Sequence, residues 1–303
     1  MGRSNSKQHI CVGLGLCAMD YSFLVEQYPE PDDKINAKSF SRQGGGPVAT
    51  ALCVLGKYNI PSVFLGKCGN DTDGQDLKSE LEGFGVITDE LILDNLSQTP
   101  KAFIIVDKQT GKRTVILNRT NTAPLSPDEL NINLIQDSKY LLIDGRETET
   151  AIAAAKIAKN SGVEVVLDAG SPRKEIDRLL PHVDHLVASH RFSQDYINEI
   201  DPARAALKLT QLGFKNVVIT LGEDGCVGAN SNGELFRQSA FKVDVVDTTG
   251  AGDVFHGAYI YGLYQNWELA EILKFAAATA ALKCRGLGGR AIPDLHEVES
   301  STN

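Results

Sequence analysis

The feature that most constrains the fold is a series of short apolar runs, rich in Val, Ile and Leu, that alternate with stretches of helical periodicity. The apolar runs lie at residues 10–16, 62–66, 140–143, 163–167, 186–188 and 217–221. Because they show little polar alternation, they are typical of strands that are buried on both faces of a parallel sheet. The helical stretches lie at residues 48–58, 75–84, 148–161 and 202–212. This order predicts an α/β fold, with a doubly wound, mostly parallel sheet and helices on both faces.

Two stretches depart from this alternation and predict a second, smaller sheet. Residues 102–107 and 113–117 alternate apolar and polar side chains on either side of a turn at 108–111. That pattern is typical of a half-exposed antiparallel hairpin. We therefore expect a single domain over residues 1–303, with a small antiparallel β lid formed by about residues 21–43 and 100–120.

Composition narrows the choice of partner and compartment. The 303 residues include 30 basic and 39 acidic side chains, a formal net charge of −9. This argues against nucleic acid, which is bound mainly by clustered Lys and Arg, and against an anionic membrane. No apolar run approaches the roughly 20 residues of a spanning helix, and residues 1–9 lack a signal-peptide core. The six cysteines form no C-x-x-C pair, so we expect a cytoplasmic protein with reduced thiols and no structural metal.

A glycine motif after the first apolar run raises the question of a dinucleotide site. Gly13-Leu-Gly15-Leu-Cys-Ala18 fits the fingerprint G-x-G-x-x-A, but no amphipathic helix follows it directly. A glycine turn at a strand end is therefore the better interpretation. The sequence contains no G-x-x-x-x-G-K-[ST] and no G-x-S-x-G, which excludes a P-loop NTPase and an α/β-hydrolase nucleophile elbow.

The stretch that carries chemistry is Asp247-Thr-Thr-Gly-Ala-Gly-Asp253, which precedes a helix predicted over residues 254–264. The small residues Gly250, Ala251 and Gly252 allow successive backbone N–H groups to converge on one point. With a helix N-terminus behind them, these groups predict an anion hole for a phosphate or a developing oxyanion.

Asp253 at the start of that helix has two interpretations. As a helix N-cap it would stabilise the helix by about 1 kcal/mol. As a general base it would face bound phosphate and accept a proton from an attacking hydroxyl. Taken alone, the two are about equally supported. The neighbouring glycines favour the base, because a cap does not require neighbours without side chains.

Three motifs resemble those of the ribokinase-like (PfkB) family of sugar and nucleoside kinases, in particular its ketohexokinase-like branch. Asp247-Thr-Thr-Gly-Ala-Gly-Asp253 resembles the C-terminal signature of the family, and Gly44-Gly-Gly-Pro-Val-Ala-Thr-Ala51 its N-terminal signature. Thr220-Leu-Gly222-Glu-Asp-Gly225 is similar to its nucleotide element. The motifs occur in the family's order, and the resemblance extends over residues 10–295.

The resemblance implies ATP with Mg²⁺ as cofactor and a role for each matched position. Asp253 would be the catalytic base, and Gly250, Ala251 and Gly252 would hold the transferring phosphoryl group. Thr220, Gly222 and Gly225 would contact the phosphates and ribose, and Ala277 and Ala280 would pack near adenine. Close helix packing explains the two alanines equally well. Asp247 and Thr249 occupy the positions of a potassium site that some members of the family contain.

The same resemblance implies the sugar site. Asp20 matches the acid that binds sugar hydroxyls, and Gly44 and Gly45 would let the sugar approach the backbone. Candidates for binding an anionic tail on the sugar are Arg146, Asn118 and Arg119, of which Asn118 and Arg146 are better placed because each follows a strand. Arg146 would serve equally well in a surface salt bridge with Glu147 or Glu149.

Two positions depart from the family pattern. Ala49 stands where the N-terminal signature usually has Asn, which removes or replaces one sugar contact. Ser189-His-Arg-Phe192 stands where an N-x-x-E element is expected, so the acid that usually tunes magnesium and phosphate is missing.

The leading hypothesis is an ATP-dependent sugar kinase that phosphorylates a primary hydroxyl of a fructose-like or sulfofructose-like ketose. The alternatives are 2-keto-3-deoxygluconate kinase and adenosine or another nucleoside kinase of the family. A non-catalytic sugar or nucleotide sensor is a different class, and the intact Asp253 argues against it. Since the apolar lid strands would be exposed in a monomer, we also expect a homodimer that pairs through the lid.

Overall fold

Two sheets and ten helices make up the computed structural model, which describes residues 10–119 and 121–302. The strands are β1 (Cys11–Leu14), β2 (Ala18–Val25), β3 (Ser39–Gly45), β4 (Ser62–Gly69), β5 (Val86–Ile87), β6 (Leu91–Asp94), β7 (Lys101–Asp107), β8 (Arg113–Asn118), β9 (Tyr140–Ile143), β10 (Glu164–Ala169), β11 (His185–Ser189), β12 (Asn216–Thr220), β13 (Cys226–Asn230) and β14 (Leu235–Gln238). The helices are α1 (Pro47–Lys57), α2 (Thr72–Gly83), α3 (Ile132–Gln136), α4 (Thr148–Asn160), α5 (Ile176–Leu179), α6 (His190–Ile197), α7 (Pro202–Thr210), α8 (Ala251–Tyr264), α9 (Leu269–Lys283) and α10 (Leu295–Thr302).

The larger sheet has ten strands in the order β14-β13-β12-β11-β10-β9-β1-β4-β5, with β6 paired to β4. All its ladders are parallel except those that add β13 and β14 at one edge. The predicted doubly wound, mostly parallel sheet is therefore confirmed. Strand β1 pairs with β4 on one side and β9 on the other, so the chain winds outward from it in both directions. In such sheets, ligands bind at the carboxyl ends of the strands around this reversal.

Each face of the large sheet carries its own hydrophobic core. One core packs α1, α2, α8, α9 and α10 against alternate strand residues such as Cys11 and Val166. The other packs α3–α7 against residues such as Val12 and Val165. Neighbouring residues of one strand point to opposite faces, which explains why these strands are apolar throughout rather than alternating.

Helix α8 packs closely between α1 and α9, and two of its glycines make this possible. A side chain at Gly257 would clash with the carbonyl oxygen of Ala51 in α1. A Cβ atom at Gly262 would lie 2.8 Å from Cγ1 of Ile272 in α9. The α1 backbone therefore approaches α8 closely at Gly257, and the Ile272 side chain of α9 packs against α8 at Gly262.

The smaller sheet has four strands in the order β3-β2-β7-β8. Its two outer ladders are antiparallel, as the alternating pattern predicts, whereas β2 and β7 pair in parallel. The parallel ladder arises because β2 and β7 are joined through a long crossover rather than a tight turn. We call this four-stranded sheet the lid. Thr120, at the end of the predicted lid segment, and residues 1–9 lie outside the described residues. Within the part of the chain that the structure describes, no helix has the length and apolarity needed to cross a membrane.

Candidate active site

Helix α8 opens at the loop that carries the predicted anion hole. It begins at Ala251, three residues earlier than predicted, with Gly250 as its N-cap residue in the left-handed region at φ 73°. Asp253 is thus the third residue of the first turn. The interpretation of Asp253 as the N-cap is wrong, because the small residues before it already adopt helical geometry.

The first turn of α8 presents free backbone donors. Among residues 10–119 and 121–302, no acceptor takes a hydrogen bond from the N–H of Gly252 or Asp253. Gly250 contacts a second backbone segment, since a Cβ atom there would lie 2.6 Å from the Cα of Gly289. A Cβ atom at Gly252 would meet nothing within 4 Å, so this residue faces open space. Free donors at a helix N-terminus beside open space form the geometry of an anion site.

The carboxyl group of Asp253 is buried near several positively charged side chains. Burial raises the pKa of its carboxyl group, and the charges of His256, Arg113, Arg146 and Lys283 oppose that rise. These four side chains come from α8, the lid, the loop after β9 and the end of α9. A carboxyl group whose pKa is raised by burial, with cations nearby to offset part of that rise, is suited to accept a proton from a hydroxyl.

His256 lies one turn after Asp253, and the sequence analysis did not identify it. Its Nδ1 atom lies 2.6 Å from the Gly252 carbonyl oxygen, and its Nε2 atom lies 3.2 Å from the Val187 carbonyl oxygen. The Nε2 atom is also 3.6 Å from Oδ1 of Asp168. All three partners are hydrogen-bond acceptors, so each ring nitrogen lies beside at least one acceptor. The spacing of three residues from Asp253 was the available signal, because such residues share a helix face.

Asp168 lies at the end of β10 and is the second carboxyl group near the start of α8. Burial raises its pKa to about 6, and the charge of His256 opposes this effect. Its register partner Val187 on β11 contacts His256 through its carbonyl oxygen. The carboxyl ends of β10 and β11 therefore meet the N-terminus of α8 at one edge of the sheet.

The predicted nucleotide residues lie at the next strand of that edge. Thr220 ends β12, where its hydroxyl group donates to the Ala188 carbonyl oxygen over 3.3 Å. Gly222 and Gly225 have φ values of +62° and +91°, which favour glycine. Of the two alanines on α9, Ala277 is buried in the core and Ala280 is half-buried. Ala277 therefore contributes to close packing.

The predicted sugar residues cluster where β2 and β3 meet. Asp20 is buried on β2, and a side chain at Gly45 would clash with its carboxyl group. Burial raises the pKa of Asp20 to about 7; the charge of Arg290 opposes this rise, and the charge of Asp253 adds to it. The two carboxyl groups that the sequence assigned to sugar and phosphoryl group thus lie within electrostatic range of one another.

Gly44, the neighbouring residue of β3, contacts two charged side chains that sequence reasoning missed. Its N–H group donates to Oε2 of Glu80 over 2.6 Å, and a side chain at Gly44 would clash with the guanidinium group of Arg290. Glu80 belongs to α2, and Arg290 precedes α10. No local pattern connects these residues, so the sequence offered no signal for them.

Asn118 and Arg146 lie on segments that an ion pair holds together. Asn118 ends β8, and the next residue, Arg119, pairs with Glu147 over 2.8 Å. Arg146 follows β9, and its Nε atom is 3.8 Å from Oδ2 of Asp144. That Nε atom is buried and has no hydrogen-bond partner among the described residues.

The predicted surface salt bridges of Arg146 are wrong. Glu147 pairs with Arg119 rather than with Arg146, and Glu149 pairs with Arg178. Arg146 instead approaches Asp144, which lies between it and the end of β9. Because two other arginines pair with the two glutamates, the buried Nε atom of Arg146 has only the long ion pair with Asp144 and no hydrogen bond among the described residues.

Asp247 and Thr249 lie buried in the loop before α8. The two carboxylate oxygens of Asp247 accept hydrogen bonds from the N–H groups of Thr249 and Gly288, at 2.8 and 2.7 Å. The fully buried ammonium group of Lys283 donates to the Asp247 carbonyl oxygen over 2.8 Å. Thr249 Oγ1 is buried without a hydrogen-bond partner in the described part of the chain.

Comparison with known proteins identifies the family. The sequence matches the pfkB family of carbohydrate kinases over residues 8–295. It is 31% identical to the ribokinase of Schizosaccharomyces pombe, with 96% of this chain and 97% of that protein covered. It is 27% identical to the ketohexokinase of Mus musculus, with 93% and 97% covered. The structure resembles that of Arabidopsis thaliana ribokinase complexed with ribose and ATP, with a TM-score of 0.80, 27% identity, and 97% and 99% of the two chains covered. The chain therefore belongs to the pfkB family and is an ATP-dependent carbohydrate kinase.

Proposed function

We propose that this kinase transfers the γ-phosphoryl group of ATP to a primary hydroxyl group of a fructose-like or sulfofructose-like ketose. The observation that carries the proposal is the position of Asp253, beside the free N–H groups of α8 and within electrostatic range of Asp20. The likeness to ketohexokinase favours a ketose. The cationic Arg146, whose buried Nε atom has no hydrogen-bond partner among the described residues, favours an acceptor that carries oxygen atoms or an anionic group at its far end.

In the proposed reaction, the Asp253 carboxylate accepts the proton of the attacking hydroxyl group. The sugar oxygen forms a bond to the γ-phosphorus, and the bond from that phosphorus to the β,γ-bridging oxygen breaks, which releases ADP. The N–H groups of Gly252 and Asp253 stabilise the charge on the transferring group. When bound with ATP, Mg²⁺ neutralises phosphate charge. The described residues hold no cluster of three or more metal-ligating side chains, so the ion would be bound mostly by phosphates and water.

The lid contributes by contacting the loop that leads into α8. In the β7–β8 turn, the Gly111 carbonyl oxygen accepts a hydrogen bond from the Thr248 hydroxyl group over 3.0 Å. Arg113 on β8 donates to the same hydroxyl oxygen over 3.1 Å. These contacts let the lid exclude water from the site while it holds the loop in place.

The potassium site and the nucleotide contacts remain predictions of this proposal. Thr249 Oγ1 is the feature that favours a bound cation, because it is a buried oxygen without a partner among the described residues. The carboxylate oxygens of Asp247 already accept two N–H donors, and Lys283 supplies a positive charge at its carbonyl oxygen. These hydrogen bonds compete with a cation for the oxygen atoms of Asp247, and no step of the proposed reaction requires potassium.

We also propose a homodimer that pairs through the lid, in the cytoplasm. Large apolar side chains are exposed on the lid strands, at Phe40, Phe103, Val115, Ile116 and Leu117. Such an edge favours pairing with another chain, and a second copy of the lid is a self-complementary partner. All six cysteines are buried free thiols, which is consistent with a reducing compartment.

The test is ADP release with Mg-ATP against a panel of acceptors: fructose, 6-deoxy-6-sulfofructose, fructose 6-phosphate, 2-keto-3-deoxygluconate, ribose and adenosine. We expect one ketose to be turned over with the highest kcat/KM. The Asp253→Asn variant run in parallel identifies any ADP release that does not come from this site.

Two outcomes of the panel would overturn the substrate class. Preferred turnover of 2-keto-3-deoxygluconate would favour a sugar-acid kinase, in keeping with the 27% identity to the 5-dehydro-2-deoxygluconokinase of Shouchella clausii. Preferred turnover of adenosine would indicate a nucleoside kinase. The lid offers a surface for base stacking, because Tyr21 and Phe103 stack with ring centroids 5.4 Å apart.

A further inference from the structure

Arg290 is a buried cation with incomplete partners. Its side chain is 1% exposed, and its Nη1 atom lies 3.2 Å from Oε1 of Glu80. None of its three guanidinium nitrogens makes a well-aligned hydrogen bond to any residue that the structure describes. Buried charged groups normally have their hydrogen-bonding capacity filled, because an unfilled one carries a desolvation penalty. A buried arginine without these hydrogen bonds is therefore a candidate for a functional role.

The position of Arg290 points to the sugar site. Its guanidinium group lies against Gly44, in space that any side chain at that position would fill. Its backbone N–H donates to Oε1 of Gln43 over 3.2 Å, which anchors the loop before α10 to strand β3. Gln43 is the register partner of Asp20. A Cβ atom at Gly45, the next residue of β3, would meet the Asp20 carboxyl group, so Arg290 and Asp20 pack against consecutive residues of one lid strand.

Asp20 stands among three other acidic groups and one cation. The charges that act on it come from Arg290, Asp253 on α8, Glu80 on α2 and Asp247 in the loop before α8. The charges of the three carboxyl groups and burial all raise the pKa of Asp20, whereas Arg290 lowers it. Burial lowers the pKa of Arg290, and the negative charges of Cys53, Glu80 and Asp20 outweigh this effect and raise it. Of these neighbours, Arg290 is the group that favours an ionised Asp20.

We propose that Arg290 is a positioning residue, whose guanidinium group keeps Asp20 in the ionised form that binds the sugar. The inference rests on the proposed function, because it assumes that Asp20 binds sugar hydroxyl groups. An ionised carboxylate accepts hydrogen bonds with both oxygens, and such charge-assisted bonds are about twice as strong as neutral ones. A protonated Asp20 would lose one of these acceptors. Sugar affinity should therefore fall as the pH drops through the pKa of Asp20, which is about 7.

The experiment measures the KM for the preferred sugar between pH 5.5 and 9 in the wild type and in Arg290→Met. Removal of the positive charge raises the pKa of Asp20 by about one to three units, so the pH below which the sugar KM rises moves upward. A shift of one unit lowers the ionised fraction at pH 7 about fivefold, and we expect the KM to rise by at least that factor. Arg290→Lys keeps the charge and should stay within about twofold of the wild type.

Glu80→Gln is the matched control, because it removes a negative charge from the same cluster. Gln retains an oxygen that can accept the Gly44 N–H, so the backbone contact is kept. Loss of this charge lowers the pKa of Asp20. The pH below which the sugar KM rises should therefore move downward. If Arg290 acts through its charge, the pH dependence of the sugar KM should move to higher pH in Arg290→Met and to lower pH in Glu80→Gln. Equal shifts in one direction, or none, would overturn the proposed role of Arg290.

Two further measurements separate failure of the inference from failure of the proposed function. If Asp20→Asn leaves the sugar KM unchanged, Asp20 does not bind the sugar, and the proposed sugar site fails. If Asp20→Asn raises the sugar KM but Arg290→Met leaves the pH dependence of the sugar KM unchanged, only the proposed role of Arg290 is wrong. The KM for ATP and the melting temperature of each variant show whether the fold is retained. Should Arg290→Met fail to fold, Arg290→Lys and Glu80→Gln still provide the comparison.

Discussion

The two ends of the proposed active site, which we call the phosphoryl end and the sugar end after their proposed roles, are built in different ways. At the phosphoryl end, the free N–H groups and the proposed base come from a few consecutive residues that open α8. At the sugar end, Asp20, Glu80 and Arg290 come from a lid strand, a helix and the loop before α10. The first depends on local backbone conformation, and the second on contacts between distant parts of the chain.

This difference predicts which kinetic constant each end controls. An interaction made only in the transition state changes kcat, whereas one made equally with bound substrate changes KM. Substitutions at the start of α8 should therefore lower kcat with little effect on the sugar KM. Substitutions around Asp20 should raise the sugar KM with little effect on kcat.

The largest effect is expected for Asp253→Asn. The amide keeps the size of the side chain but cannot accept the proton of the sugar hydroxyl group, so kcat should fall by about 10²- to 10⁴-fold. Both KM values should stay within a few-fold of the wild type in steady-state assays of ADP release. A loss below tenfold would contradict the assignment of Asp253 as the base.

Gly45→Ala tests the sugar end. The new methyl group would occupy the space of the Asp20 carboxyl group and displace it. Loss of a charge-assisted hydrogen bond costs about 1.5–3 kcal/mol, so the sugar KM should rise by tenfold or more. The KM for ATP should change by less than about twofold.

Gly83→Ala, at the end of α2, is the control for Gly45→Ala, because a Cβ atom there would meet nothing within 4 Å. Its kinetics should match those of the wild type. If both substitutions had the same effect, the close approach of Gly45 to Asp20 would not explain the loss.

His256→Asn tests whether the phosphoryl end also depends on side-chain charge. The charge of His256 lowers the pKa values of Asp253 and Asp168, so its removal raises both. A base must be deprotonated to act, and the acidic limb of the kcat profile should therefore move to higher pH. The loss of kcat should be largest at acidic pH and should shrink as the pH rises. A uniform loss at every pH would indicate a structural role for His256 instead.

Ile116→Glu tests the lid away from the proposed active site, and it should have the smallest effect on kcat and KM. This residue is 59% exposed on the edge strand β8. A charge there should weaken a lid-paired dimer by tenfold or more, because it is buried without a partner on pairing. Light scattering at micromolar concentration measures this. Val245→Glu, an exposed apolar position outside the lid strands, is the control, and a monomeric wild type would contradict the dimer.

The sequence was informative wherever a structure is specified locally. The apolar runs became β1, β4 and β9–β12, and the seven residues from Asp247 to Asp253 located the start of α8. The edge strands β13 and β14 were not predicted, since Cys226-Val-Gly-Ala-Asn230 is short and contains a glycine. The parallel pairing of β2 with β7 was also unpredictable, because strand order depends on the path of the chain between them.

The charged partners of the site were the hardest to predict. Arg290 lies 270 positions after Asp20, and nothing in its own neighbourhood marks it as buried. Asp168 and His256 come from different elements and meet only when β10 and α8 are assembled. Interactions of this kind depend on the complete fold, which single-sequence patterns do not contain.

The close packing of α8 at Gly257 and Gly262 bears on how such an enzyme acquires a new acceptor. The element that carries Asp253 is held by close contacts with the α1 backbone and with the Ile272 side chain of α9, so it has little freedom to adapt to a differently shaped sugar. The lid strands, apart from the close contacts at Gly44 and Gly45, carry several exposed side chains. Directed evolution toward another sugar should therefore accumulate its productive changes in the lid, while α8 stays unaltered and keeps the turnover of the parent enzyme.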